Sequence, residues 1–140
     1  MKRFSALLIA AVVLAVCMIC ACSGNGGETK LLTADDPEVL AKWDEHDSLD
    51  GIPRFTMTGV FDNIYFDDDR TVVSFVAVPQ EAFEAYVEEL RSAGFRLKEN
   101  SAIWVTEGMS AVPEFTRNGQ ELILVWNLNG TLDISAEAAG

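Results

Sequence analysis

Asn118-Gly119-Gln120-Glu121-Leu122-Ile123-Leu124-Val125-Trp126-Asn127-Leu128-Asn129-Gly130-Thr131-Leu132-Asp133-Ile134-Ser135 sets an alternating apolar run between two Asn-Gly steps. Asn-Gly between alternating runs is the strongest short-range signal of a β-hairpin, because both residues tolerate the left-handed backbone that tight hairpin turns require. The spacing therefore predicts a strand over 114–116, a strand over 121–128 and a strand over 131–135, paired in series. Leu122, Leu124, Trp126 and Leu128 share one face of their strand, and Leu132 and Ile134 continue that face on the next. Thr131, Asp133 and Ser135 point away. Ile123 and Val125 make the second face of 121–128 apolar too, as expected of a central strand whose outer face is partly covered.

Upstream, 58–66 and 71–78 are rich in β-branched and aromatic residues, and the acidic run Asp67, Asp68, Asp69 has the polarity of the turn between them. Pro79 opens a helix at its first turn, where a missing N–H costs nothing, and Phe83, Tyr86, Val87 and Leu90 recur at helical spacing up to Gly94 as C-cap. Further strands are expected over 95–98 and 102–106, paired around 99–101. The fold class is α+β: an antiparallel sheet in β-β-α-β-meander order with one helix, about 79–93, packed on one face. The entry segment 31–54 is less regular, with a short helix over 37–43 capped by Asp36 and started by Pro37.

The opposite end of the chain concerns location. Lys2 and Arg3 precede an apolar run over 4–21 that closes on Ile19-Cys20-Ala21-Cys22. A basic start, an oily segment and a small residue before the cut are what an export signal requires. The final four residues resemble the lipobox of bacterial lipoproteins, which are cleaved before a cysteine whose thiol carries diacylglycerol. Of the three cysteines, only Cys22 has a branched aliphatic residue three positions before it (Ile19) and a small one immediately before it (Ala21). The resemblance implies cleavage between Ala21 and Cys22, lipid attachment at Cys22, and a domain held on the membrane facing the periplasm or the cell exterior. An uncut anchor helix is the competing expectation, since about 18 apolar residues suffice to span a bilayer. Acyl chains in pairs hold a protein stably where one does not. Ser23 supplies no aspartate-type retention signal, so a cell with two membranes would send the protein to the outer one. The organisation expected is thus a signal peptide over 1–21, a Gly-rich tether over 22–30 and a single domain over 31–140.

Cleavage would leave 119 residues (140 minus 21) and remove Lys2 and Arg3, so 8 of the 10 basic residues would face 22 acidic ones, a formal balance of −14. Phosphate binding needs basic clusters, which argues against nucleic acid as a partner. No disulfide can form with Cys22 as the one remaining cysteine, so the fold must rest on its core.

A catalytic set is hard to assemble from these residues. Cysteine chemistry is excluded once Cys22 is acylated, and any Ser-His-Asp triad must use His46, the one histidine. His46 lies among Asp44, Glu45, Asp47 and Asp50, whose spacing does not match a calcium loop and which read as a solvated acidic segment. Asp67–Asp69 read as a turn. Glu88 and Glu89 are helix neighbours about 100° apart and do not face each other. Trp43, Trp104 and Trp126 fit a core better than an exposed aromatic platform, and Met109 lies in a loop. No catalytic residue, metal ligand or cofactor is assigned.

Trp43, the Gly51-Ile52-Pro53 entry, the hairpin, Pro79 leading to Phe83-Glu84-Ala85-Tyr86-Val87-Glu88-Glu89-Leu90, the Ala93-Gly94-Phe95 helix end and the Asn-Gly meander together resemble a family of small bacterial lipoproteins of unknown function. The likeness covers about 43–135, and Ala-Gly-Phe is its most specific piece. It implies the fold and no active residues. The expected role is a non-enzymatic binding or interaction module for an envelope protein or small ligand. A free edge strand would let it take up an extended peptide by β-augmentation, which should survive high salt. The alternative is an envelope hydrolase or metal-dependent accessory enzyme using the acidic cluster around His46.

Overall fold

A computed structural model of the chain describes residues 30–99, 101 and 111–137. The signal, Ala21, Cys22, almost all of the tether, the strand expected over 102–106, Trp104 and Met109 lie outside the described residues. Six antiparallel strands form one sheet: β1 (Val60–Asp67), β2 (Arg70–Val76), β3 (Arg96–Leu97), β4 (Glu114–Arg117), β5 (Gln120–Trp126) and β6 (Leu132–Glu137). Their spatial order is β1-β2-β6-β5-β4-β3. The chain starts with a hairpin at one edge, crosses by a helix to the far edge, and steps back strand by strand until β6 pairs with β2 from Arg70↔Glu137 to Phe75↔Leu132. The class is mixed α+β.

Among the described residues two α-helices pack with the sheet, the short one expected over 37–43 as well as the one expected over about 79–93. α1 (Pro37–Asp44) begins with the Asp36 carboxylate accepting from the Glu38 N–H at 3.0 Å, and buries Val39 and Trp43 four residues apart. α2 (Gln80–Ser92) buries Ala82, Phe83, Tyr86, Val87 and Leu90. Both helices feed one core with Phe55, Phe75, Phe115, Leu122, Leu124 and Ile134. Pro79 is the N-cap rather than the first helical residue: its ψ of 159 is extended, and its carbonyl accepts from Ala82 and Phe83. At the other end Gly94 takes φ +93, the Gly94 N–H reaches the Arg91 carbonyl and the Phe95 N–H the Leu90 carbonyl, each at 3.0 Å. This double closure needs a left-handed residue, which glycine adopts without steric cost.

The strand pairings modify several expectations. β3 pairs with β4, through Arg96↔Thr116 and Leu97↔Phe115; the partner strand expected over 102–106 lies outside the described residues. Asn118 (φ 51) and Gly119 (φ 82) form the tight turn between β4 and β5. The β5–β6 connection is longer: the Gly130 N–H returns to Asn127, Asn127 donates to Thr131, and only Gly130 is left-handed. The strand therefore stops at Trp126, and Leu128, expected on the core face, is 51% exposed in the loop. Within β5 the alternation holds, with Gln120, Leu122, Leu124 and Trp126 buried and Glu121, Ile123 and Val125 half-buried.

Candidate functional site

Between α1 and Phe55 the chain has one turn of 3-10 helix, Asp47–Leu49, and is otherwise irregular, so its carbonyl groups need donors. Sheet and helix side chains supply them. Gln120 Nε2 donates to the Ser48 and Asp50 carbonyls, both at 3.2 Å. Arg117 donates to the Gly51 carbonyl at 2.7 Å and the Ala93 carbonyl at 3.0 Å. The Tyr86 hydroxyl donates to the Pro53 carbonyl at 2.8 Å, and burial, with a smaller push from Glu89, holds that phenol well above its usual pKa, so it stays a donor. The Ser48 and Thr71 hydroxyls bond each other. The acidic side chains Asp44, Glu45, Asp47 and Asp50 are exposed as read, but the chain that carries them is fastened to the sheet, with Leu49 and Ile52 in the core.

Fastening this segment fixes His46, whose ring meets Phe66 edge-on at 5.3 Å and 66°. Phe66 lies near the tip of the β1–β2 hairpin and is 71% exposed. Two acidic groups remote in sequence are thereby joined: Glu45, His46 and Asp47 share a depression of about 390 Å3 with Phe66, Asp68 and Asp69. Asp68 holds φ 53 in the turn, a conformation Asp tolerates better than most residues. Among the described residues Asp62, Asp68 and Asp69 form no salt bridge.

On the other side of His46 a cleft of about 610 Å3 is lined by Trp43, Asp44, Asp50, Pro53 and Arg54 among others. Asp44 is committed there: Arg54 reaches its carboxylate through Nε at 3.0 Å and Nη2 at 2.6 Å. Among the described residues no three His, Cys, Asp or Glu side chains converge as a metal would require. In the same depression the Ser48 hydroxyl is bonded to that of Thr71, and the ring partner of His46 is Phe66.

Of the tryptophans, Trp126 stacks on Phe83 at 5.6 Å and 14° and donates to the Val78 carbonyl at 3.0 Å. Trp43 is also buried, its indole N–H without a partner among the described residues. Glu88 is exposed and paired with Arg91 at 3.3 Å. The outer face of the sheet carries a charge lattice in which Arg70 meets Glu137 (3.0 Å) and Glu121 (3.5 Å), and Lys98 meets Glu121 and Glu114. Each of its carboxylates has a cation within 4 Å, unlike Asp68 and Asp69 at the hairpin tip.

The meeting of His46 with Phe66 carries no local sequence signal. Gln120 does: it continues the inward set Leu122, Leu124 and Trp126, and a polar side chain aimed inward must find partners. No family model, curated protein or solved structure matches the chain. No helix among the described residues is long and apolar enough to cross a membrane.

Proposed function

We propose that the protein is a lipid-anchored, non-enzymatic binding module of the cell envelope, a bacterial lipoprotein carried on diacylglycerol at Cys22 and displayed on the periplasmic or outer side. The observation that carries the binding part is Phe66. A large aromatic left 71% exposed, braced by His46 and ringed by carboxylates that form no salt bridge among the described residues, adds little to the core and offers contact area to a partner. The anchoring part rests on the Ile19-Cys20-Ala21-Cys22 ending of the apolar signal.

Intact mass with membrane fractionation, comparing the native chain with Cys22→Ala, tests the anchor. Loss of 1–21 with gain of acyl chains, and failure of the variant to be processed, is the expected result. An unshifted mass with both forms in the membrane would mean an uncut helix, and a soluble cleaved native chain would mean ordinary secretion. His46→Ala separates module from enzyme, since abolition of a hydrolytic activity by that change would refute the non-enzymatic reading.

A further inference from the structure

Asp67 pairs with Arg70 across a two-residue turn, and Phe66↔Thr71, Tyr65↔Val72 and Ile64↔Val73 follow. In an antiparallel ladder opposed residues alternate between exchanging both backbone bonds and exchanging none, and the pair closing a two-residue turn exchanges both. Tyr65 therefore bonds inward to β2, while Ile64 and Phe66 direct their N–H and C=O groups out of the sheet. β1 is an edge strand. At its start the edge is covered: Phe61 donates to the Leu32 carbonyl at 2.8 Å, Ala34 to the Gly59 carbonyl at 3.0 Å, and Thr33 bridges Val60. A bulge between Phe61 and Asn63 follows. Beyond it, no described residue pairs with the outward side of 62–67, an open edge about 20 Å long at about 3.4 Å per residue.

We infer that this edge accepts an extended basic peptide as a seventh strand, antiparallel or parallel to β1, with apolar side chains against Phe66 and Lys or Arg beside Asp68, Asp69 and Asp47. The inference rests on the binding-module reading and names its partner chemistry. Charge selects the occupant. Asp62, Asp67, Asp68 and Asp69 lie along or at the end of the open stretch, and the whole chain has a formal charge of −12, so a second copy is repelled where a basic strand is attracted. Soluble proteins guard open edges with lysine, proline or a bulge. Here the bulge sits at the end already covered, and the guard is acidic only. An acidic guard blocks self-pairing and leaves the edge available to a strand of opposite sign.

The test is amide hydrogen exchange on the full chain in detergent micelles, with and without a ten-residue alternating Lys-Val peptide. Its Glu-Val counterpart and a copy N-methylated on one edge serve as controls. Binding should slow exchange at Ile64 and Phe66 at least tenfold, and the Glu-Val and N-methylated peptides should leave it unchanged. Asp68→Asn combined with Asp69→Asn should weaken Lys-Val binding by about fivefold at low salt, the scale of two exposed ion pairs. At saturating peptide the protection should persist in high salt. Protection confined to other residues would overturn the proposal, as would equal binding of the N-methylated peptide. So would Ile64 and Phe66 amides already protected in the free chain, or protected only as its own concentration rises. None of these results bears on whether His46 supports catalysis, so the module reading stands or falls separately.

Discussion

Arg117 lies over the Phe95 ring, its guanidinium carbon 4.2 Å from the centroid. From there it donates to Ala93 at the end of α2 and to Gly51 in the entry segment. One side chain on β4 thus ties a helix end and an irregular loop to the sheet.

Arg117→Met should lower stability by about 2 kcal/mol, because two carbonyls lose charged donors and the ring loses its cation. Arg117→Lys should recover little of this, since an ammonium cannot stack flat and reach both carbonyls. Urea midpoints at constant slope would measure both; a variant within about 0.5 kcal/mol of the parent would mean that the entry segment is held by other contacts.

Trp126→Phe should cost about 1–2 kcal/mol more than Trp43→Phe. Both indoles are buried and both changes remove the same atoms, yet among the described residues Trp126 has an acceptor, the Val78 carbonyl, and Trp43 has none. Equal losses in paired denaturant curves would contradict the unpartnered Trp43 N–H.

Lys98 and Glu121 predict how stability responds to pH. The hydrogen bond from Lys98, followed by its charge, holds the Glu121 carboxyl below its ordinary 4.5, and the same bond raises Lys98 above its ordinary 10.5. A depressed carboxyl contributes stability present above its unfolded value and lost as pH falls through the folded one. A raised ammonium contributes stability present below its unfolded value and lost as pH rises through the folded one. Glu121→Gln should therefore flatten the acid limb below 4.5 and reduce the alkaline limb above 10.5. Melting temperatures across that range check it, and unchanged limbs would mean that water screens the pair completely.

Phe66→Ala should leave stability within about 0.5 kcal/mol of the parent, as for exposed sites elsewhere, while reducing binding of any ligand that uses the hairpin tip. A large loss of stability would instead make Phe66 part of the core and remove the observation on which the binding reading stands.

The elements legible in the sequence are those written by local periodicity. Leu122, Leu124 and Trp126 alternate, Phe83, Tyr86, Val87 and Leu90 wind, and Asn118-Gly119 and Ala93-Gly94 mark chain reversals, so β5, α2 and their ends follow from the residues alone. Long-range closure was not legible. That β6 enters between β2 and β5, that β3 takes β4 as its neighbour, and that His46 reaches Phe66 depend on which surfaces meet, a property of the assembled core. The carboxylates of Asp44, Glu45, Asp47 and Asp50 are exposed as read, but the fastening of the chain that carries them was not legible, because its anchors, Arg117, Gln120 and Tyr86, all come later in the sequence.

The placement of β6 also sets an order of events. β2 finds its second neighbour only in residues 132–137, so a chain emerging N-terminus first carries β1–β2 as an isolated ribbon, which is marginal by itself in water. β6 is the latest in sequence of the described strands, and without 132–137 both β2 and β5 lack their shared neighbour and the core is incomplete. In a sheet joined this way, a piece made late is the clasp between the two halves.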